Sequence, residues 1–334
     1  MTAAMQAHLP EGFSVRPVTV DDAEVIADLI NECTRAEIGF PWTTTSEVLD
    51  DLTGPGRDPA TDDALVLDGD GQACASLAVF AEIAPYTEVF SLVYAHPRWW
   101  GQGLSAYLLR LGEERARAKV DRAPPGERVV LQVARFVGNE AAGTLFESCG
   151  FAYTRTFWGM QIELGERPPP SDLPEGITIR GFDAEREARP VYDALAEAFA
   201  DHWGHAFPSF EQWRHYSITG EGADFDPGLW FVAVDGDEVA GVAFGRLRGG
   251  REVTTAEVDE LGVRRAWRRR GVGLALLGAT FEEFARRGFA RAELGVDAES
   301  PTGATRLYER AGMHVAYSWE FWEKELRAAA PVPG

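Results

Sequence analysis

Alternating apolar positions, interrupted by short glycine turns, predict strands and hairpins in both halves of the chain. Apolar runs at 64–67 and 74–80 flank one Asp-Gly pair, and runs at 229–234 and 239–244 flank another. Asp-Gly between two apolar runs is a strong hairpin signal. Ahead of each pair, an acidic start is followed by apolar residues at helical spacing, which predicts a first helix. The same order of elements is therefore predicted twice.

The residues themselves also repeat. Leu9-Pro10-Glu11-Gly12 recurs as Leu173-Pro174-Glu175-Gly176, and Leu145-Phe146-Glu147 recurs as Leu307-Tyr308-Glu309. Three consecutive prolines among polar residues, just before the second Leu-Pro-Glu-Gly, predict a stiff linker at 166–175. The repeat therefore indicates two domains joined by this linker.

A strand, a glycine turn and a helix follow one another at 258–284. Gly271 and Gly273 let the backbone approach a ligand closely, and the free N–H groups of a helix N-terminus suit a phosphate. The three arginines at 268–270 add positive charge to a chain of net charge −21. A P-loop is excluded because G-x-x-x-x-G-K-[ST] is absent, and a dinucleotide fingerprint is excluded because its third glycine would fall at Leu276. A plain turn with solvated arginines remains an alternative at this point.

The glycine loop recurs in the first half. Arg98-x-x-Gly101-x-Gly103 aligns with Arg268-x-x-Gly271-x-Gly273 at an offset of 170. Two copies behind two apolar strands are far less expected by chance than one. The recurrence therefore favours a binding loop over a plain turn.

Composition narrows the function classes. A chain of 334 residues suits two domains, and its acidic balance argues against a nucleic-acid partner. The cysteines at 33, 74 and 149 are scattered without C-x-x-C spacing, so we expect a reduced, cytoplasmic protein without structural metal. No secretory signal and no membrane-spanning apolar run is recognisable, so no membrane partner is expected.

R-x-x-G-x-G behind a strand ending L-x-V, together with L-Y-E-x-x-G at a helix end, resembles the GNAT superfamily of acetyl-CoA-dependent N-acetyltransferases. The tandem arrangement is similar to that of mycothiol synthase-like enzymes. The resemblance covers about 12–165 and 176–327. It implies two domains of the α/β (α+β) class, each with a mixed, mostly antiparallel sheet that is splayed at its middle strands and flanked by helices.

The resemblance also implies that acetyl-CoA, or another acyl-CoA, lies in the splay with its pyrophosphate on the glycine loop. The implied cofactor-binding residues of the second half are Leu261, Gly262, Val263, Arg268, Arg269, Arg270, Gly271, Val272, Gly273, Leu274 and Ala275. Those of the first half are Leu92, Val93, Arg98, Trp99, Trp100, Gly101, Gln102, Gly103, Leu104, Ser105 and Asn139. A second, structural acetyl-CoA is expected in the first half.

The implied catalytic residues lie in the second half. Glu257, six residues before Val263, stands where the family has its general base. Glu260 is the second candidate, because strict alternation puts it on the opposite face of the strand unless the strand bulges. Tyr308 matches the family's tyrosine, whose phenol could protonate the leaving thiolate. Non-catalytic interpretations remain as alternatives: the two glutamates would then be solvated acids, and Tyr308 an ordinary packed helix residue.

The first half departs from the catalytic pattern. Phe146 replaces the tyrosine and has no proton to give. Thr87 stands six residues before Val93, at the expected base position, and Glu88 beside it would face the other way. We therefore expect the first half to bind acetyl-CoA without turning it over.

The resemblance implies an acceptor pocket that includes His202, Trp203 and Trp319, which would suit a small cationic or sugar-like amine. The expected function is acetyl transfer to a small-molecule primary amine by its direct attack on the thioester. A non-catalytic acyl-CoA-binding protein and a protein or peptide N-acetyltransferase remain alternatives. We expect a monomer whose halves pack as a pseudo-dimer.

Overall fold

The computed structural model describes residues 8–165, 173–203, 207–220, 225–247, 254–300 and 302–330. The chain divides into two compact units. Unit 1 comprises Met1–Arg155 and Trp319–Gly334, and unit 2 comprises Thr156–Ser318. Most of the predicted linker, residues 166–172, lies outside the described residues.

The elements of the first part of the chain follow the predicted order. They are β1 (Ser14–Pro17), α1 (Ala23–Ile38), α2 (Thr45–Thr53), α3 (Pro59–Asp62), β2 (Ala64–Leu67), β3 (Ala73–Phe80), β4 (Glu88–Ala95), α4 (Leu104–Lys119), β5 (Val129–Phe136), α5 (Glu140–Ser148) and β6 (Ala152–Glu163). The Asp70-Gly71 turn joins β2 and β3, as the sequence predicted.

The second part repeats this order. It contains β7 (Ile177–Gly181), α6 (Ala184–Phe199), α7 (Phe210–Arg214), β8 (Trp230–Asp235), β9 (Glu238–Arg246), β10 (Thr255–Val263), α8 (Val272–Arg286), β11 (Arg291–Asp297), α9 (Ala304–Arg310) and β12 (His314–Arg327). A π-helical turn, His215–Thr219, follows α7 directly. Among the described helices, none is long and apolar enough to cross a bilayer.

Local sequence explains where corresponding helices begin. The helices α2 and α7 both start with a capping box, formed by Thr44 with Glu47 and by Ser209 with Gln212. Each box satisfies backbone N–H groups that the first turn of a helix would otherwise leave unpaired. The two helices therefore start at matching points of the repeat.

Each unit contains a mixed sheet that is mostly antiparallel. The strand order in unit 1 is β1-β2-β3-β4-β5-β12, and the order in unit 2 is β7-β8-β9-β10-β11-β6. Only the pairs β4–β5 and β10–β11 are parallel among these neighbours. The fold class predicted from the sequence is confirmed.

The compact units differ from the sequence boundaries 12–165 and 176–327, because the halves exchange their last strands. Residues 319–327 of β12 pair with β5 in unit 1, and residues 157–163 of β6 pair with β11 in unit 2. The exchanged residues are core residues of the unit that receives them: Trp322 is buried in unit 1 and Met160 in unit 2. Repeats in the sequence cannot reveal this, because either sheet accepts a strand of the same pattern.

The exchange predicts that each of the two strands stabilises the unit that receives it. We expect Trp322→Ala to destabilise unit 1 by about 3–5 kcal/mol, because the indole is almost fully buried there. Native-state hydrogen exchange should then show lost protection in β5 and α4, with protection in β10 retained.

Met160→Ala is the matched variant. It should reduce protection in β10 and β11 and leave β5 protected. If Trp322→Ala reduced protection in β10 rather than in β5, the assignment of the last strand to unit 1 would be wrong.

Candidate active site at the splayed strands of unit 2

The sheet of unit 2 opens at its parallel pair of strands. The pairing joins Thr255–Glu257 of β10 to Arg291–Glu293 of β11 and extends no further, while β10 continues to Val263. Unit 1 opens in the same way beyond Ser91 of β4. Beyond Glu257, the backbone N–H and C=O groups on the β11 side of β10 are therefore available to bind a ligand.

A bulge in β10 rearranges the side chains at this opening. The register against β9 pairs Glu257 with Arg246, Val258 with Gly245, and Glu260 with Phe244. Asp259 is the extra residue, so Glu257 and Glu260 lie on the same face of the sheet. Strict alternation predicted opposite faces and is wrong here; the bulge that the sequence left open is present.

The helix α6 covers the face that carries the two glutamates. Gly262 comes next on that face, and a Cβ added to it would lie 3.1 Å from the side chain of Ala198. Glycine is therefore needed here for the strand and the helix to approach each other. The close contact places this face of β10 beneath α6.

The ionisation of Glu260 is strongly shifted. Burial, together with the neighbouring charge of Asp259, raises the pKa of its carboxyl to about 8 against the opposing effects of the Trp213 indole and the Arg246 guanidinium, which lower it. The residue is partly buried, with Oε2 fully enclosed. A carboxylate with a pKa near 8 is a far stronger base than an exposed glutamate.

Glu257 belongs to a row of polar side chains across four strands. The row runs Arg246, Glu257, Glu293, Gln161. Gln161 donates a hydrogen bond from Nε2 to Oε2 of Glu293 (3.2 Å). Sequence reasoning missed Glu293 and Gln161, and nothing in the sequence signalled Gln161, because the exchanged strand β6 supplies it.

The glycine loop of unit 2 ends in a left-handed turn. Arg269 has φ of 61° and Gly271, the N-cap of α8, has φ of 90°. A positive φ at arginine is strained, which is a recurring feature of ligand-binding loops. Arg269 and Arg270 are exposed and form no ion pair with any residue in the described ranges. The loop therefore presents two cations and a helix N-terminus together.

Arg268, predicted to bind the cofactor, is engaged within the protein. Its Nε donates to the carbonyl of Val263 (3.0 Å) and Nη2 to that of Ala198 (2.9 Å). Nη1 pairs with Asp201 (3.0 Å), and hydrogen bonds from Arg265 and Arg268 lower the pKa of that carboxyl to about 2. Arg268 therefore fastens the loop to β10 and α6.

The structure corrects the alignment of the two glycine loops. In unit 1 the left-handed pair is Gly101 and Gly103, and α4 begins directly after Gly103, as α8 begins after Gly271. Trp100 Nε1 donates a hydrogen bond to the carbonyl of Ala95 (2.7 Å). This bond corresponds to the one that Arg268 Nε donates to the carbonyl of Val263 in unit 2. Equivalent positions are thus 168 apart, and the offset of 170 is wrong.

The corrected register changes which residues of unit 1 are compared. The strand β4 pairs with β3 without a bulge, so Phe90 matches Glu257 and Leu92 matches Glu260. Thr87 and Glu88 are not the equivalents. Trp100 and Ser105 stand where unit 2 has Arg268 and Gly273.

Other residues predicted to bind cofactor in unit 1 have structural contacts. The guanidinium of Arg98 stacks on the ring of Trp99, which packs edge-on against Phe13. Asn139 caps α5 through Oδ1 (3.0 Å) and donates from Nδ2 to Glu37 (2.6 Å). Gln102 is exposed in the loop, and Val93 lies on β4. A ligand contact by Asn139 would compete with its bond to Glu37.

Tyr308 lies on α9 with its side chain buried in the core of unit 2. Burial raises the pKa of its phenol to about 12, so the hydroxyl stays protonated throughout the neutral range. Phe146 holds the matching position on α5 and packs between Phe151 and Trp322. The two units differ here by one hydroxyl group.

The residues predicted for the acceptor pocket are not all brought together. His202 packs against Phe199, and Trp203 lies near Phe157, both within unit 2. Trp319 belongs to unit 1, where it contacts Trp42. Its assignment to the second half is therefore corrected, because the part of β12 that pairs with β5 begins at this residue. In the described part of the chain, no group of three or more His, Cys, Asp or Glu is placed to hold a metal.

Comparison with known proteins agrees with this geometry. The profile of the acetyltransferase (GNAT) family matches residues 189–313. The crystal structure of a GCN5-related N-acetyltransferase from Sphaerobacter thermophilus is 36% identical, has a TM-score of 0.79, and covers 97% of this chain and 99% of its own. This chain belongs to the GNAT family of N-acetyltransferases.

Two further proteins resemble the chain over most of its length. A mycothiol acetyltransferase from Thermobispora bispora is 30% identical over 74% of this chain and 78% of its own. A tandem GNAT protein from the clavulanic acid biosynthesis pathway has the same fold, with a TM-score of 0.73 at 16% identity, over 95% of this chain and 99% of its own. GNAT proteins use acetyl-CoA, and this N-acetyltransferase has two copies of the fold.

The loop geometry predicts where acetyl-CoA binds. Gly271→Asp places a negative charge and a strained φ at the N-terminus of α8, so it should weaken acetyl-CoA binding to unit 2 at least ~10-fold. Native mass spectrometry and calorimetry with acetyl-CoA would measure the number and strength of sites. Gly103→Asp is the matched control in unit 1. Loss of the unit 2 site in that variant, with binding retained in Gly271→Asp, would contradict the assignment.

Proposed function

We propose that unit 2 transfers the acetyl group of acetyl-CoA to a small-molecule primary amine by direct attack of the amine on the thioester. The observation that supports this best is the bulge at Asp259, which puts Glu257 and Glu260 on one face where the sheet opens. The same strand leads into the glycine loop and α8. The base and the cofactor-binding loop are thus both attached to β10, and this rigid strand can hold the two reactants in a fixed relative position.

Glu257 and Glu260 take up the proton that the acceptor must lose. A free alkyl ammonium has a pKa of ~10.4, so the amine needs a base to become nucleophilic at neutral pH. With its pKa near 8, Glu260 is ionised to a useful extent in mildly alkaline solution and is basic enough to accept a proton. Glu257 lies beside it at the point where the opening begins.

The loop and the first turn of α8 hold the cofactor. Its pyrophosphate suits the N–H groups at residues 271–273, together with Arg269 and Arg270. The unpaired edge of β10, at Leu261–Val263, suits the amide groups of the pantetheine arm. Acetyl-CoA supplies the activated acyl group, and these residues bind and orient it.

Tyr308 donates a hydrogen bond to the leaving sulfur. Its pKa of about 12 lies above that of a thiol, near ~8.5, so complete proton transfer to the thiolate is uphill. A hydrogen bond from the protonated phenol nevertheless stabilises the charge that develops on sulfur. This predicts a moderate contribution to the rate.

Unit 1 binds acetyl-CoA without turning it over. Phe90, Leu92 and Phe146 occupy the positions of the two carboxylates and the tyrosine, and none of them can exchange a proton. The left-handed loop at Gly101 and Gly103 is retained. A second acetyl-CoA bound there would stabilise unit 1 by mass action and have no catalytic role.

The acceptor in this proposal is a small-molecule primary amine. The relative named mycothiol acetyltransferase makes the desacetyl precursor of mycothiol the first compound to assay. Glucosamine and a short peptide with a free N-terminus complete the panel. Because a thiol-bearing acceptor reacts with thiol reagents, the N-acetyl product and CoA should be quantified by mass spectrometry.

Removing either base separately tests the mechanism. We expect Glu260→Gln to lower kcat/KM by ~10²- to 10⁴-fold and to leave acetyl-CoA binding unchanged. Glu257→Gln should lower kcat/KM in the same way to the extent that the two carboxylates share the proton. Glu88→Gln, a variant of the matching strand in unit 1, should leave both quantities unchanged. Full acetyl transfer by the double variant Glu257→Gln/Glu260→Gln would refute the proposed base.

The role of Tyr308 has its own test. Tyr308→Phe should lower kcat by about 10- to 100-fold, the value of one hydrogen bond to a charged group, with little change in the Kd of acetyl-CoA. Phe146→Tyr, the reverse change in unit 1, should leave the rate as it is. An unchanged kcat in Tyr308→Phe would remove the phenol from the mechanism.

A further inference from the structure

Trp213 is a fully buried tryptophan on α7, next to the candidate active site. Its side chain is 2% exposed. The ring packs among four aromatic neighbours: Tyr192, Phe210, Trp230 and Phe244. This packing holds the indole in one orientation.

One of these neighbours places the indole relative to Glu260. Phe244 is the residue of β9 directly opposite Glu260 across the strand pair, and the rings of Trp213 and Phe244 lie 6.4 Å apart. The indole therefore lies over the strand position that faces Glu260. It is close enough for the indole N–H to influence the ionisation of that carboxyl.

The two polar atoms involved are complementary. Nε1 of Trp213 and Oε2 of Glu260 are both buried, and neither makes a well-formed hydrogen bond to another described residue. An indole N–H can only donate, and a carboxylate can only accept. Burial makes an unpaired group of either kind costly, so the N–H favours the ionised carboxylate.

We propose that Trp213 is a positioning residue for Glu260, whose carboxylate it holds by the indole N–H on the face that receives the acceptor amine. The packing of Trp213 on Phe244 brings the indole beside Glu260, and the hydrogen bond between them is what we infer; its meaning for catalysis rests on the proposed function. Trp213 touches neither reactant in this proposal and acts only through Glu260.

The surrounding charges hold α7 in place. Arg246 of β9 donates to the carbonyl of Tyr216 in the π-helical turn (3.3 Å) and lies 3.7 Å from Asp259. One guanidinium therefore joins the segment behind Trp213 to the bulge beside Glu260. The charged or titratable groups of α7 and its turn are Glu211, Arg214, His215 and Tyr216. Those of β10 nearest to Glu260 are Asp259 and Glu257. On α6, Glu187 and Glu197 are paired with arginines.

Unit 1 lacks both members of this pair. Counting from the capping boxes, Val48 on α2 matches Trp213 on α7, and Leu92 matches Glu260. Val48 and Leu92 line a common cavity of about 40 Å³ in unit 1. Unit 2 therefore has both the tryptophan and the carboxylate, and unit 1 has neither at the matching positions. This is what a functional pairing of Trp213 with Glu260 requires.

The sign of the effect can be worked out. The contact with Trp213 lowers the pKa of Glu260, so its removal should raise that pKa above about 8. At any lower pH a smaller fraction of Glu260 is then ionised. The acid limb of the kcat/KM profile should move to higher pH by roughly one unit, and the rate near neutrality should fall roughly 10-fold and recover in alkaline solution.

The test compares Trp213→Phe with Trp230→Phe in the full-length protein. Trp230 belongs to the same aromatic cluster and stacks on Phe244, so its variant controls for lost packing. The primary readout is a pH titration of the Glu260 carboxyl by isotope-edited infrared spectroscopy, with the band assigned by its loss in Glu260→Gln. The second is the pH profile with acetyl-CoA and the best amine of the panel.

We expect the Glu260 midpoint to rise in Trp213→Phe and to stay in place in Trp230→Phe. Equal midpoints in the wild type and Trp213→Phe, or equal shifts in both variants, would overturn the proposal. If Trp213→Phe does not fold, benzothienylalanine at position 213 replaces only the N–H by sulfur and takes its place. A wild type that acetylates no amine would refute the proposed function, while the infrared titration would still decide the contact.

Discussion

A single extra residue in β10 determines the chemistry that unit 2 can perform. Asp259 has no partner residue on β9. The alternation of side chains between the two faces of the sheet is therefore out of phase before and after this residue. Glu257 and Glu260 consequently lie on one face, under α6, and the last residues of the strand still lead into the glycine loop. Burial beside a second acid raises the pKa of Glu260 to about 8. Without the bulge, one of the two carboxylates would face the other side of the sheet.

The exchange of last strands ties each unit to both halves of the sequence. Unit 1 takes Trp322 from the end of the chain, and unit 2 takes Met160 and Gln161 from the middle. The exchanged strands also bring equivalent hydrogen bonds: Gln132 donates to Glu323 in unit 1, and Gln161 donates to Glu293 in unit 2. The donor belongs to the resident strand in unit 1 and to the exchanged strand in unit 2, so the glutamine and the glutamate have traded places between the two units. Neither half of the sequence contains all the strands of one compact unit.

The two copies have kept their backbone and diverged at a few side chains. Both have the opening between parallel strands, the left-handed loop and the capped second helix. Apolar residues fill the position of each proton-exchanging group in unit 1, and Val48 and Leu92, which match Trp213 and Glu260, line a small cavity. Backbone geometry sets where a cofactor can bind, and the side chains on one face decide whether a proton can move.

The sequence by itself determined the family, the order of elements, the hairpins and the position of the glycine loops, because these depend on local patterns and turn residues. It named Glu257, Glu260 and Tyr308 from motif position alone. Only the tertiary structure decided which face each glutamate occupies, because the bulge is defined by the pairing of β10 with β9, which the sequence of β10 alone does not give. Likewise only the structure corrected the loop register, by the equivalent bonds of Trp100 and Arg268, and assigned Trp319 to unit 1. Strand pairing between distant segments depends on contacts that no local pattern encodes.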